Sequence, residues 1–327
     1  MTHLPDISVI VPCYNSELTI PDLVSRIELT LSTAGMSFDI VLVEDHSSDR
    51  TWEVICELAR RRPGVRGFRL MRNYGQHNAL LCGIRRARAG IIVTIDDDLQ
   101  NPPEEIPRLL SKLDEGYDVV YGTPQRQRHG FLRNAASRIT KLALQGTMGA
   151  STAGSVSAFR AFRTSLRGAF DQYRGAFVFI DVLLTWGGCR FAAVEVKHDP
   201  RTLGRSNYTF QKLVVHALNM TTGFSTAPLK LASLVGFFFT LLGGVMLLYV
   251  LINFVVYGSL VHGFAFLAST IIILSGAQLF ALGIVGEYLA RIHVRTMDRP
   301  PYAVLCSTEP DEAAILGVAA GPDGSDR

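Results

Sequence analysis

Between Leu231 and Gly286 the chain has no Asp, Glu, Lys or Arg. One membrane-spanning helix needs about 20 apolar residues, so the stretch is long enough for two. Tyr257–Gly263 (YGSLVHG) interrupts it with turn residues, which predicts helices over Leu231–Val256 and Phe264–Glu287. Buried helices of soluble proteins keep a polar face, and this run has almost none. Cysteine is scarce and scattered: Cys13, Cys56, Cys82, Cys189 and Cys306 form no C-x-x-C pair. An odd, dispersed set excludes a disulfide framework or a zinc site of the usual spacing and fits a reducing compartment. No G-x-G-x-x-G follows the first strand-like segment and no P-loop occurs, so dinucleotide and ATP readings lack support. No Ser–His–Asp or Cys–His pattern emerges. The net charge of +3 is too small to argue for nucleic acid, and no such partner is expected. Met1–Asp6 is polar and runs straight into a strand-like segment, so no signal peptide is expected.

What is present divides the chain in two. Hydrophobic residues make up 48% and mean hydropathy is +0.23, high for a wholly soluble enzyme. Arg201, Arg205, Lys212 and Lys230 precede the apolar run, Arg291, Arg295 and Arg299 follow it, and the loop between the helices has no Lys or Arg. The positive-inside bias therefore expects both flanks, and the large N-terminal part, in the cytoplasm. Ser206–Phe224 carries apolar residues at helix-like spacing and reads as an interfacial helix lying on the bilayer. The expected division is a catalytic domain over 1–205, a juxtamembrane amphipathic segment over 206–230, two transmembrane helices over 231–287 and a tail over 288–327. From about 309 the tail is rich in small and acidic residues and reads as disordered.

Before the membrane region, strands and helices alternate. Strand-like runs are Ile7–Pro12, Asp39–Asp45, Gly67–Met71, Ile91–Asp98 and Asp118–Gly122. Helical spacing covers Ile20–Leu31, Thr51–Arg61, Asn78–Ala89 and Pro103–Glu115. Such alternation predicts an α/β fold with a mostly parallel sheet and helices on both faces. Ligands in these sheets bind beyond the carboxyl ends of the strands, where both acid clusters fall. The first is Asp96-Asp97-Asp98. Adjacent acids repel one another unless a cation sits among them, and hard divalent cations prefer oxygen ligands. Strand alternation would put Asp96 and Asp98 on one side and Asp97 on the other; the plain alternative is a solvated acidic turn. The second cluster is Glu44-Asp45 with Asp49, in which Asp49 also suits helix capping and Asp45 suits accepting from a base or ribose hydroxyl.

The segments VPCYNSE, VEDHSSDRT, RNYGQHNAL and IDDDLQNPPEEIPRLL, with two later membrane helices, resemble the family-2 glycosyltransferases of GT-A (Rossmann-like) fold, in their polyprenyl-phosphate branch. The resemblance implies an inner-membrane enzyme with a cytoplasmic catalytic domain that uses Mg²⁺ or Mn²⁺. It implies a nucleotide-sugar donor, a UDP-sugar in the first instance, and polyprenyl phosphate such as undecaprenyl phosphate as acceptor. It also allows for homo-oligomers. It places Pro12, Tyr14 and Glu17 around the base and ribose, with Asp45 on the base. Asp96 would touch the nucleotide, and Asp98 would hold the metal with Gln100. RTLGRSNY resembles the family's R-x-x-G-x-S-K-Y, which assigns Arg201 to the donor diphosphate with Ser206 nearby. Arg126, Arg128 and Arg133 fall where the acceptor phosphate is met, and guanidinium forks suit phosphate oxygens. A solvated basic face beside anionic lipid is the competing reading of those arginines. Two departures fall in the acceptor half: Gly154 replaces an acid usual before the F-R motif, and Asn207 replaces the lysine of S-K-Y. The rival functions are a processive polysaccharide synthase, whose Q-x-x-R-W motif is missing, and a non-catalytic GT-A-fold membrane scaffold.

Overall fold

The computed structural model describes residues 4–124, 156–175, 178–199, 227–257 and 264–309. Two compact units divide the chain. One comprises Met1–Tyr208 with Arg299–Arg327, the other Thr209–Asp298.

The first unit is built on an eight-stranded sheet in the order β7-β5-β6-β4-β1-β2-β3-β8. The strands are β1 (Ile7–Cys13), β2 (Phe38–Glu44), β3 (Val65–Leu70), β4 (Ile91–Thr94), β5 (Val119–Pro124), β6 (Arg160–Arg163), β7 (Phe191–Val196) and β8 (Val304–Ser307). Every residue of β1 is buried, as expected of a central parallel strand covered on both faces. It pairs in parallel with β2 on one side and β4 on the other. Chain order reverses at that point, because β1 is followed by β2 and β3 in one direction and by β4 in the other. A cleft opens beyond the strand ends at such a reversal. β6 runs antiparallel to β4 and β5, and β8 antiparallel to β3.

Helices α1 (Ile20–Thr33), α2 (Thr51–Arg61), α3 (Gln76–Arg86), α4 (Ile106–Asp114) and the short α5 (Ile180–Leu184) cover this sheet. The amphipathic spacing in the sequence is what buries them: α1 contributes Ile20, Leu23, Val24, Ile27 and Leu31, and α4 contributes Ile106, Leu109, Leu110 and Leu113. On α3, Gly83 permits a close approach to β1, since a Cβ there would fall 2.3 Å from Ile10 Cγ2.

The expected α/β architecture is present, and three of its differences in extent bear on the acid loop, the helix after it and the tail. First, β4 stops at Thr94, so Asp96–Asp98 lie in the loop beyond it and strand alternation does not apply to them. Ile95 N–H still donates to Ile10 O (3.1 Å), after which the chain leaves the ladder and Leu99 turns at φ 60°. Second, the Pro103–Glu115 helix begins as a 3₁₀ turn over Pro103–Glu105. Third, residues after 288 are not simply a tail: helical structure continues to Thr296 and the chain then rejoins the sheet as β8. Residues 310–327, expected to be disordered, lie outside the described residues, as does the interfacial segment 206–224.

The second unit holds α6 (Ala227–Tyr257) and α7 (Phe264–Thr296), which contact each other. Leu229–Val256 and Ile273–Thr296 are long and apolar enough to cross a membrane, and neither is buried within the protein. Helix α7 outruns the apolar stretch because the i,i+4 pair Glu287–Arg291 (2.7 Å) carries its polar end onward.

Candidate active site

The parallel register sets the ends of β1, β2 and β4 side by side. Cys13 pairs with Glu44, and Ile10 with Thr94, so Tyr14, Asp45 and Asp96 all emerge at one edge of the sheet. The loops that carry them are stitched together by polar side chains. Asn15 N–H donates to Ser47 Oγ (3.0 Å), Ser16 N–H to Thr51 Oγ1 (2.9 Å) and Ser48 N–H to Asn15 Oδ1 (2.9 Å). Asp49 accepts from the N–H groups of Glu17 (3.2 Å) and Thr51 (3.1 Å), and Glu17 Oε2 in turn accepts from Arg50 N–H (3.0 Å). Asn15 and His46 take left-handed conformations to make these turns. Pro12 is buried within β1, whereas half of the Tyr14 surface remains open.

Asp45 is buried and both its carboxylate oxygens are engaged: they accept from the N–H groups of Tyr74 and Gly75, each at 2.7 Å. Burial pushes its carboxyl up to about 6, and those two hydrogen bonds oppose the shift. Its neighbour Glu44 is fully buried and pairs with Arg69 (3.0 Å), a structural arrangement within the sheet.

The three consecutive acids face different partners. Asp96 Oδ1 accepts from Gln76 Nε2 (2.6 Å), Asp97 Oδ2 from Tyr14 N–H (3.0 Å), and Asp98 Oδ1 from Gln100 N–H (3.1 Å). Burial, then the charges of Asp98 and Asp97, push Asp96 up to about 7. Asp97 is also raised, chiefly by burial. Behind them lies a buried cation. Arg160, 1% exposed, is ion-paired with Asp181 and donates through Nε to Thr94 Oγ1 (3.1 Å). Its charge draws Asp96 back down, as does the Gln76 hydrogen bond.

This set fits a hard divalent cation. Like-charged carboxyls partly shielded from water repel one another, and a cation among them removes the penalty. Among the described residues, however, no three His, Cys, Asp or Glu side chains converge into a complete cage. The match is to an ion taken by one or two carboxylates and shared with phosphate oxygens. Asp98 and Gln100 stand on the loop that would supply the protein's share.

The structure therefore brings Pro12, Tyr14, Glu17, Asp45, Asp96, Asp98 and Gln100 to one end of the sheet. Arg126, Arg128, Arg133, Gly154, Arg201, Ser206 and Asn207 lie outside the described residues. Gln76 stands in the sequence only as the residue after Gly75 in RNYGQHNAL, and nothing local sets Asp97 apart from the acids beside it. Arg160 was visible as the arginine of the F-R motif. Nothing in the sequence pointed to Asp181, whose partner is 21 residues away.

Residues 8–174 match the model of glycosyl transferase family 2. An undecaprenyl-phosphate 4-deoxy-4-formamido-L-arabinose transferase of Pseudomonas paraeruginosa is 35% identical over 91% of this chain and 89% of its own. A protein of the same name from Edwardsiella ictaluri is 35% identical over 94% of this chain and 96% of its own. Among solved structures, the mannosyltransferase PcManGT of Pyrobaculum calidifontis, in complex with GDP-Man and Mn²⁺, aligns at 17% identity. Its TM-score is 0.48, over 68% of this chain and 64% of that one.

Proposed function

The chain belongs to glycosyl transferase family 2, and on that premise we propose that it transfers a sugar from a nucleotide-sugar to undecaprenyl phosphate at a membrane surface. The observation that carries this reading is the acid loop Asp96–Asp98 at the reversal point of the sheet, in a chain similar to undecaprenyl-phosphate sugar transferases along 91% of its length. The donor we favour is a UDP-sugar, as the family resemblance implies, carrying an amino-pentose related to the formamido-arabinose that those relatives are named for.

The reaction is a single inverting displacement. An oxygen of the lipid phosphate attacks the anomeric carbon, the bond from that carbon to the diphosphate breaks, and the nucleoside diphosphate leaves with the electron pair. A phosphate monoester is largely anionic near neutrality, its second pKa being about 6, so the attacking oxygen needs no strong base. Pro12, Tyr14, Glu17 and Asp45 shape the pocket for base and ribose, Asp45 by holding the 74–75 backbone. Asp98 and Gln100 would hold Mg²⁺ or Mn²⁺, which when bound offsets the charge developing on the leaving diphosphate. We assign Arg201 and Ser206 to the phosphates on the donor side, and Arg126, Arg128 and Arg133 to the acceptor phosphate.

We place the catalytic unit in the cytoplasm and α6 and α7 in the inner membrane. Basic residues flank both outer ends of the helix pair, which supports that orientation. An even number of crossings also returns a chain to the side it left, and β8, after the second helix, pairs with β3 of the same sheet that precedes the first. The deciding experiment screens nucleotide-sugars against undecaprenyl phosphate and detects the lipid product by mass spectrometry. Binding of the donors with neither hydrolysis nor a lipid-linked product would overturn the reading in favour of a scaffold, and hydrolysis without a lipid-linked product would overturn the lipid phosphate as acceptor.

A further inference from the structure

We propose that Gln76 is a positioning residue of the donor site, holding the Asp96 carboxylate in the orientation used when a metal–nucleotide complex binds. The inference rests on the reading of this cleft as a nucleotide-sugar site and names a residue that reading does not use.

The geometry delivers the Gln76 amide by rigid backbone. Gly75, at φ 91°, turns the chain from the β3–α3 loop into the helix, a conformation that side-chain-bearing residues rarely take. The two carboxylate oxygens of Asp45 fix that loop through the N–H groups of Tyr74 and Gly75. Gln76 is the first residue of α3, and its neighbour His77 anchors the same turn from the other side. The His77 ring packs 4.4 Å from the Phe179 ring, and Nδ1 accepts from Ile180 N–H (3.4 Å). Gln76 itself is exposed, and its Nε2 lies 2.6 Å from Asp96 Oδ1.

The chemistry of an amide suits this place. Asp97 and Asp98 repel Asp96, and Arg160 attracts it from the side of β6. A second cation on the open side would neutralise the charge that a divalent ion needs. A neutral N–H donor orients the carboxylate and leaves its charge available. Reach matters as well, because asparagine is shorter by one methylene, more than the slack in a hydrogen bond.

The test uses the full-length protein in detergent, with UDP and GDP as probes, by calorimetry with and without Mn²⁺. Gln76→Ala and Gln76→Asn are expected to weaken Mn²⁺-dependent nucleotide binding by about tenfold, the scale of one hydrogen bond to a charged group. Binding without Mn²⁺ and the melting temperature should both stay unchanged, since an exposed side chain is removed. Gln76→Lys, which still donates but adds positive charge, should bind Mn²⁺ more weakly than either. Wild-type affinity in the alanine and asparagine variants overturns the proposal. So does a loss that is equal with and without Mn²⁺, or one that tracks a lower melting temperature. If wild type binds the nucleotide and the variants behave as stated, but no sugar reaches undecaprenyl phosphate, the proposed acceptor fails and the Gln76 assignment stands. Absence of nucleotide binding by wild type overturns both.

Discussion

Glu309 Oε1 lies 3.0 Å from Arg66 Nη1, an ion pair that spans 243 residues and joins the segment after the second long helix to β3. Arg88 Nη2 reaches the same oxygen at 2.8 Å, and Thr308 exchanges two hydrogen bonds with Gly67, N–H to O and N–H to Oγ1, both at 2.9 Å. Arg66 is nearly buried and its other partners are Asp39 and the Arg86 carbonyl (3.0 Å), so losing Glu309 leaves part of its charge uncompensated. Glu309→Ala should cost about 1–3 kcal/mol, in the range of hydrogen bonds to charged groups. Arg88→Ala should cost less, because Arg88 is half-exposed and screened. Melting curves in detergent compare the two, and equal effects would contradict the ranking.

Arg160 and Asp181 make a second test of buried charge. Each is within a few per cent of full burial, so removing one partner strands the other. Arg160→Met should cost about 3–5 kcal/mol, and adding Asp181→Leu should recover most of it. If the double variant is no more stable than the single one, the pair is not what holds β6 against α5.

Asp97 and Asp98 should separate by function. The Asp97 carboxylate is occupied by the Tyr14 N–H, a role an amide oxygen also fills. Asp97→Asn should therefore keep a sizeable share of turnover, whereas Asp98→Ala should lose orders of magnitude with the fold intact, as when metal stabilisation of a leaving group is removed. Turnover and circular dichroism of both variants, with an EDTA-treated wild-type control, decide it.

Stability should fall as pH rises in metal-free protein. Asp45 and Asp96 are raised from 3.8 to about 6 and about 7, so the folded state holds their protons more tightly than the unfolded chain. Stability from that source is complete below the unfolded value and is lost as pH climbs through 6 and 7. Melting temperature in EDTA should thus decline between about pH 4 and pH 7, and Mn²⁺ should restore more of it at the upper end. A Mn²⁺ effect independent of pH would contradict the acid loop as the ion's site.

Reporter fusions at Arg327 and Ser259 should report opposite sides of the membrane. The β3–β8 pairing requires the chain to return to the side of the first unit after two crossings. The same side for both fusions would break the proposed topology.

Period and composition were enough to read the strand–helix alternation, the two long apolar helices and the acid clusters, because each is written in neighbouring residues. Thr51–Arg61 was placed to the residue, since its apolar spacing and both flanks are local. The Asp96–Asp98 strand was over-extended, because the last ladder bond depends on where β1 ends and not on local propensity. What only the tertiary structure decided involves partners far apart in sequence. The pairing of β8 with β3 adds a short strand after a membrane hairpin, which no local pattern announces. Asp45 reads from sequence as a ligand-facing acid, yet its oxygens hold the 74–75 backbone, a contact set by loop closure. Gln76 and Asp96 are 20 residues apart and meet only because β4 lies beside β1 at the point where the sheet reverses. A sequence shows which residue types can do chemistry; long-range packing selects the atoms that face one another.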